Sequence, residues 1–296
     1  MNIKDWLEKW ETVHAQRVRE NTMRGYKAAL AHLSPGFLAL EINQVTGMDW
    51  ECEIARVAKD YPRQAQLMHA ALRKSWNDGI RYRMISQDNR PYLYVEGPRH
   101  RSRRTPYLTP DEMTAYARAA QQTPAALPLM LMLLCGLRRG EALGLCWDDI
   151  DRREMIIHVR RQLYQGKLMP LKSTTSYREI PVTEAIIEKI YNWGHIDKTN
   201  NNIVSNKNLC YNLGVKCLYK SHASAMAAAG LDTAVTLHGL RHSCATAALD
   251  AGADIKTVQG ILGHAHFATT ADIYCHALTS AERDAIAAVG TRLEIA

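Results

Sequence analysis

The stretch LHGLRH, residues 237–242, puts two imidazoles and a guanidinium within five residues and supplies no acidic side chain to pair with them. In a helix, His238, Arg241 and His242 fall at i, i+3 and i+4, so all three project from nearly one face. Thr236 is a candidate N-cap and Gly252 a candidate stop, which puts His238 and Arg241 in the first turns. Unpaired backbone N–H groups and the positive end of the helix dipole favour an anion there, and a fixed guanidinium matches the fork of a phosphate. The plainer reading of the same residues is a capping histidine and a surface arginine. A zinc helix would share the spacing of His238 and His242, but the glutamate of H-E-x-x-H is missing and Arg241 would repel a divalent cation.

Two further stretches carry chemistry. LCGLRRGEALGLCWDDID, residues 134–151, sets Arg138 and Glu141 at i, i+3 just after the helix-interrupting Gly136, so that the carboxylate can hold the guanidinium in one orientation. GILGHAHFATTADIYCH, residues 260–276, places His264 just past the candidate cap Gly263, and Tyr274 about one turn after the candidate cap Thr270. The segment LDAGADIKTVQGILGH, residues 249–264, also has the look of two helices joined by a glycine turn, as in a helix-turn-helix reader, although Val258 and Leu262 read as ordinary core.

The elements that position these residues follow from periodicity. Ile3, Trp6, Leu7, Trp10 and Val13 recur at helical spacing, as do Met23, Tyr26, Leu30 and Leu33 after the candidate cap Asn21. A third helix starts after Thr46. A fourth starts near Pro62 and runs to about Ile85, with Arg73, Lys74, Arg81 and Arg83 for its exposed side. Residues 1–96 therefore read as a small helical bundle. The segment GPRHRSRRTP, residues 97–106, with Pro and Gly at its edges and four arginines, reads as a basic linker. Residues 107–296 form the second domain. There Thr109 and Glu112 resemble a capping box, a buried helix covers about 125–134, and a Gly230 stop ends one or two helices. Period-two patterning in EMIIHVR, KLMPL and YREIPV, broken at Gly166 and at KSTTS, predicts a small antiparallel sheet. The fold class expected is mainly α with a small antiparallel β-sheet in the second domain, an α+β arrangement.

Composition bounds the partners. At 296 residues, with 47% hydrophobic and 23% charged residues, the chain is an ordinary folded protein long enough for two cores. The first ten residues are charged throughout, unlike a signal peptide, and the apolar run at 125–137 is too short to span a bilayer, so a cytoplasmic location is expected. Seven cysteines without a CxxC pair point to reduced thiols. The net charge of +7 is uneven: residues 1–106 hold 18 Lys and Arg against 12 Asp and Glu, the remainder 19 against 18. Such concentration in one domain raises the odds of a polyanionic partner.

The ordered set resembles the tyrosine recombinase (phage integrase) family: Arg138 in GLRRGE, Lys172 in LKSTTSYREIPV, His238 and Arg241 in HGLRH, His264 in LGH and Tyr274 in TTADIYCH. The helical front, with ENTMRGYKAALAHL, is similar to the family's core-binding domain, so the resemblance covers most of the chain. The family commonly shows Asn-Pro directly before its linker, where this chain has DNRPYLYVEGP. The resemblance implies a nucleoid-associated enzyme that cuts and rejoins duplex DNA through a covalent 3′-phosphotyrosine at Tyr274, as phage or other mobile elements do. Arg138 and Arg241 would clamp the nonbridging oxygens, His264 would add a donor, His238 would be the general base and Lys172 the acid for the leaving 5′ oxygen.

With four cationic or donor groups at the phosphate, neither metal nor ATP is needed and no cofactor is expected. The resemblance also implies two domains closing on the duplex and a homo-tetramer on DNA, with the C-terminal tail, whose apolar stripe is Ala285, Ile286, Val289 and Leu293, covering a neighbouring protomer; packing on its own chain is the alternative. It leaves room for an accessory DNA-bending protein. The alternatives are a type IB topoisomerase-like relaxing enzyme and a non-catalytic DNA-binding regulator on the same fold. Cys275, Tyr177, Tyr211 and Tyr219 read as packing residues, His242 as orienting its neighbours or packing, and Arg139 as a solvated or DNA-backbone contact. DNA contacts are expected from Arg73, Lys74, Arg99, Arg101, Arg103 and Arg104. Alanine at Arg101, Arg103 and Arg104 should weaken DNA binding and lower the slope of log affinity against log salt by roughly one for each phosphate left unneutralised. An anisotropy titration with an unchanged slope would reduce the segment to a hinge.

Overall fold

The computed structural model describes residues 1–98, 105–171, 176–193, 211–231, 234–263 and 291–292. The chain divides into two compact units, Met1–Arg103 and Arg104–Ala296. Of the residues singled out above, Lys172, His264, Tyr274, Cys275, the linker arginines 99, 101, 103 and 104, and the tail stripe lie outside the described residues.

Among the described residues, five α-helices build the front unit: α1 (Ile3–His14), α2 (Glu20–Leu30), α3 (Pro35–Ala39), α4 (Gly47–Asp60) and α5 (Pro62–Arg81). The Asn2 side chain caps α1, and Thr46 and Asp49 form a capping box on α4, the start expected from the sequence. Asn21 is not a cap, because α2 begins one residue before it; the Asn21 side chain instead accepts from Arg24. Val13, expected on the inner stripe, is 44% exposed; His14 is buried in its place, stacked on Trp10. The pull on His14 comes from Asp78, a buried carboxylate that accepts from Trp10 Nε1 at 3.0 Å and from Lys74 and Arg81 at 2.8 Å, with His14 Nδ1 at 3.6 Å. A carboxylate out of water needs such partners, and here they tie α1 to α5. Lys74, a candidate DNA contact, is thus an ion-pair partner within the unit, and a phosphate would have to compete with Asp78. Arg73 lies 5.7 Å from the centre of the Tyr92 ring.

Helix α5 stops at Arg81, four residues short of the expected end. Arg83 takes φ 59°, its N–H donates to the Ile80 carbonyl at 3.0 Å, and the Met84 N–H donates to the Gly79 carbonyl at 2.9 Å. This is the Schellman pattern with an arginine in the left-handed position usually held by glycine. The reversal drives Ile85 back onto Gly79, where a Cβ would stand 2.5 Å from Ile85 Cδ1.

In the second unit, α6 (Pro110–Ala120) carries the expected capping box of Thr109 and Glu112. Next come α7 (Ala126–Cys135), buried almost all round, and the short α8 (Arg139–Gly144). Strands β1 (Ile150–Asp151), β2 (Ile156–Val159), β3 (Arg161–Tyr164), β4 (Lys167–Pro170) and β5 (Arg178–Pro181) follow, then α9 (Glu184–Trp193), α10 (Tyr211–Ala228), α11 (Leu237–Asp250) and α12 (Ile255–Leu262). The fold is thus mostly helical with small antiparallel sheets, the class the sequence predicts.

Among the described residues there are two sheets rather than one. Strand β2 pairs with β1 and β5 (Ile157 opposite Ile150 and Ile180), while β3 and β4 form a separate hairpin. Gln165 and Gly166 at its tip both have positive φ, which suits a tight hairpin turn. The chain leaves the first sheet where Arg160 Nε and Arg161 Nη2 donate to the fully buried Asp149 at 2.8 and 2.9 Å. The hairpin then lies against α8 so closely that a Cβ on Gly144 would stand 2.7 Å from the Leu163 nitrogen.

Replacing Arg83 with glycine should relieve the left-handed strain, worth roughly 1–2 kcal/mol, less about 0.5–1 kcal/mol for the more flexible unfolded chain. The front unit holds four of the six tryptophans, so denaturation followed by tryptophan fluorescence should show its transition moved to higher denaturant. A lower midpoint would mean that the Arg83 side chain holds the turn.

Candidate active site

Helix α11 starts as expected: Thr236 Oγ1 accepts from the Gly239 N–H at 3.2 Å. Behind it, His222 Nε2 donates to the Val235 carbonyl at 2.9 Å, which leaves Nδ1 to accept from the buried Tyr116 hydroxyl at 2.8 Å. The start of α11 is thereby tied to α10 and α6. A Cβ on Gly239 would stand 2.7 Å from the Pro106 carbonyl oxygen, so only glycine lets the chain pass there.

From that start Arg241 does not reach solvent. It is 2% exposed, and its guanidinium donates through Nη1 to the Gly136 carbonyl and through Nη2 to the Leu262 carbonyl, both at 2.6 Å. Gly136 caps α7 with φ 61°, which turns its carbonyl toward Arg241, and a Cβ there would stand 2.7 Å from Leu262 Cδ2. Both the left-handed backbone and the close approach require glycine.

Arg138 stands at the N-cap of α8. Its backbone N–H and its Nη1 donate to the two oxygens of Glu141 at 2.8 and 2.7 Å, and its Nη2 donates to the Gly263 carbonyl at 2.9 Å. Glu141 is 2% exposed and also accepts from Arg178 Nη2 at 2.9 Å. Arg178 in turn donates through Nε to the Ile261 carbonyl at 2.6 Å and through Nη1 to the Ser176 carbonyl at 3.2 Å. Three consecutive carbonyls at the end of α12 therefore take three different guanidiniums. The last carbonyls of a helix lack intrahelical partners and carry the negative end of its dipole, so they suit cations.

Sequence reasoning missed Arg178, although a signal was available. Strict alternation in β5 puts it on the same face as the buried Ile180, and a cation on that face needs a partner. His222 and Tyr116 were missed as well. Tyr177 and Tyr219, expected to pack, are both exposed, and the Tyr219 hydroxyl accepts from Arg139 Nη1 at 2.8 Å. Tyr211 belongs to α10.

Among the described residues the charges do not balance: Arg138, Arg178 and Arg241 face a single carboxylate, Glu141. Burial raises and the two neighbouring guanidiniums lower the Glu141 pKa, and the guanidiniums win, leaving it below the ordinary value. Burial, with Arg138 beside it, lowers the pKa of Arg241 to about 9, so it is still charged at neutral pH. His238 is exposed as a residue. Partial burial of its ring, then Arg241 and Arg138, nevertheless hold its pKa below the usual histidine value, so the imidazole is neutral and able to accept a proton. Its ring meets that of His242 edge to face, centroids 5.1 Å apart. The structure thus brings Arg138, Glu141, His238 and Arg241 together around the end of α12. The charge of this arrangement suits an anion, with a neutral imidazole at its edge.

Among the described residues, Cys146, Asp148 and Asp149 could also bring one thiol and two carboxylates around a metal ion. Arg160 and Arg161 already donate to those carboxylates, so guanidinium charge occupies the place of a cation. No described helix is long and apolar enough to cross a membrane.

The chain belongs to the phage integrase family: residues 106–281 match that family, and residues 2–51 match the N-terminal SAM-like domain of phage integrases. It is similar to a tyrosine recombinase XerC-like protein of Caldanaerobacter subterraneus, 26% identical over 177 residues, 51% of this chain and only 45% of that protein's length. Tyrosine recombinase XerC of Listeria innocua is 24% identical over 274 residues, 89% of this chain and 87% of that protein. In fold the chain resembles the Tn1549 transposon integrase in complex with a circular intermediate DNA, with TM-score 0.76, 20% identity and coverage of 98% of this chain and 99% of that one. It likewise resembles a lambda integrase in a tetramer bound to a Holliday junction, with TM-score 0.68, 18% identity and coverage of 90% and 78%.

The low pKa of His242, about 4 under partial burial and the influence of His238 and Arg241, has a consequence for stability. The unfolded chain protonates this histidine near 6.5 while the folded chain resists, so the stability it contributes is full above that pH and is lost as pH falls from about 6.5 toward 4. His242→Gln should therefore flatten the fall between pH 7 and 5 by about 1–2 kcal/mol, a range already discounted for partial exposure. Urea denaturation at the two pH values measures it, and an equal fall in both proteins would show that His242 titrates normally.

Proposed function

We propose that the chain is a site-specific DNA recombinase that cuts and rejoins duplex DNA through a 3′-phosphotyrosine at Tyr274, using no metal and no ATP. The observation that carries the proposal is the excess of guanidinium charge over Glu141 at the end of α12. A DNA phosphodiester repels nucleophiles by its own charge, and fixed cations on its nonbridging oxygens remove that barrier as charge develops in the transition state.

In this reading Arg138 and Arg241 hold the phosphate, and the neutral His238 takes the phenolic proton as the Tyr274 oxygen attacks phosphorus. Lys172 protonates the departing 5′ oxygen, and His264 donates to the phosphate. The phosphotyrosine conserves the energy of the broken linkage, so attack by another 5′-hydroxyl rejoins the strand without ATP. Residues 1–96, the basic linker 97–106 and the catalytic domain 107–296 would together grip the duplex, with backbone contacts from Arg73, Lys74 and the linker arginines. The family membership and the likeness to a lambda integrase tetramer on a Holliday junction support a homo-tetramer on DNA; in this reading it is cytoplasmic, joined through the C-terminal tail and open to a DNA-bending partner.

A suicide DNA substrate, from which the 5′-hydroxyl fragment diffuses away, tests the reading because the covalent adduct then accumulates. The adduct should form in EDTA without ATP, be linked to a 3′ phosphate, and vanish in Tyr274→Phe while DNA binding survives. A chain that never cleaves would be a regulator, and one silenced by EDTA a metal hydrolase.

A further inference from the structure

We infer that Arg178 is a positioning residue for strand transfer: it occupies Glu141 from the far side, so that the charge of Arg138 stays available to the DNA phosphate. The inference rests on the function proposed above and deepens it. Arg178 is buried, 6% exposed at its side chain, and each nitrogen of its fork donates to a different segment. Nε reaches Ile261 in α12, Nη1 reaches Ser176 just before β5, and Nη2 reaches Glu141 in α8. A planar guanidinium with donors in a rigid fork fixes the relative placement of three segments in a way that the single point charge of a lysine cannot.

The electrostatic consequence is more specific than rigidity. The Glu141 Oε2 atom is shared by Arg178 Nη2 and the backbone N–H of Arg138, while Oε1 takes Arg138 Nη1. One carboxylate between two guanidiniums leaves a unit of positive charge unneutralised. With Arg178 gone, the same carboxylate and Arg138 would neutralise each other, and an incoming phosphate would have to compete with a buried anion. Arg138 would remain in place and lose its attraction for the substrate. A merely structural Arg178 would behave differently, because removing its partner could not repair the damage.

The test uses the full-length protein and three variants: Arg178→Met, Arg178→Lys, and Arg178→Met combined with Glu141→Gln. In single-turnover cleavage of a suicide substrate at saturating DNA, Arg178→Met should be slowed by about 10–100-fold, the usual range for a partner standing behind a working group. Its affinity for DNA should stay within about twofold, since the linker and backbone contacts dominate binding. Arg178→Lys, which keeps the charge, should recover part of the rate and also serves should the methionine variant not fold. Removing the carboxylate as well should make the double variant faster than Arg178→Met alone, a coupling of opposite sign to simple damage. A double variant as slow as Arg178→Met or slower would overturn the inference.

Titration with inorganic phosphate gives a reading that needs no cleavage. The side-chain ¹⁵N signal of Arg138, assigned by its loss in Arg138→Lys, should respond to phosphate in the parental protein. The response should weaken about tenfold or more in Arg178→Met and return in the double variant, in line with the rate effect. An Arg138 signal that ignores phosphate in the parental protein, or that responds equally in Arg178→Met, would also overturn the inference. Failure of the parental protein to form any adduct would count against the proposed function, and the phosphate titration would still decide the role of Arg178.

Discussion

Three carbonyl oxygens in a row, those of Ile261, Leu262 and Gly263, hold Arg178, Arg241 and Arg138, and the second unit is organised around that junction. Three guanidiniums cannot be gathered near one another without something negative between them, and a full complement of carboxylates would leave nothing for a substrate to neutralise. The end of a helix resolves the conflict. Its carbonyls carry partial negative charge and lack intrahelical donors, so they orient cations without cancelling them. One full carboxylate, Glu141, suffices to fix two of the three arginines.

The rest of the unit brings distant segments to that junction. Helix α7 delivers the Gly136 carbonyl to Arg241, and its left-handed glycine starts the turn from which Arg138 emerges. Strand β5 delivers Arg178 by pairing with β2, while the separate β3–β4 hairpin returns the chain to Leu171. Helix α11 delivers His238 and Arg241 from a start fixed by Thr236 and by the buried pair of Tyr116 and His222. Each glycine at a close approach, Gly136, Gly144 or Gly239, marks a place where two of these segments touch backbone or core so closely that a methyl group would not fit.

Local signals in the sequence made much of this legible. Capping residues announce themselves by type and spacing, so Thr46, Thr109, Thr236 and Gly263 mark helix ends that the structure also shows. The Arg138 and Glu141 pair was legible for the same reason, since both partners lie within one turn. What could not be read depends on contacts between segments far apart. His14 replaces Val13 on the inner face of α1 because Asp78 waits 64 residues later. The end of α5 is set by Ile85 folding back onto Gly79 against the helical periodicity, with an arginine in a position where sequence rules look for glycine. The split into two sheets depends on Asp149 capturing Arg160 and Arg161. The burial of Arg241 was not legible, because its acceptors are backbone carbonyls and backbone oxygens leave no trace in residue type.

The same junction explains why a histidine can serve as a base beside so much positive charge. An imidazole near two guanidiniums, partly removed from water, is held neutral by both effects acting in one direction. Such a residue is ready to take a proton from a neighbouring hydroxyl before any substrate arrives. An anion that neutralised part of the guanidinium charge would raise the affinity of His238 for that proton at the moment the proton has to be taken up. Under the proposed function, clamp and base would act as one electrostatic device: the guanidinium charge that keeps the imidazole unprotonated would draw the phosphate in, and a bound phosphate would remove the obstacle to protonation.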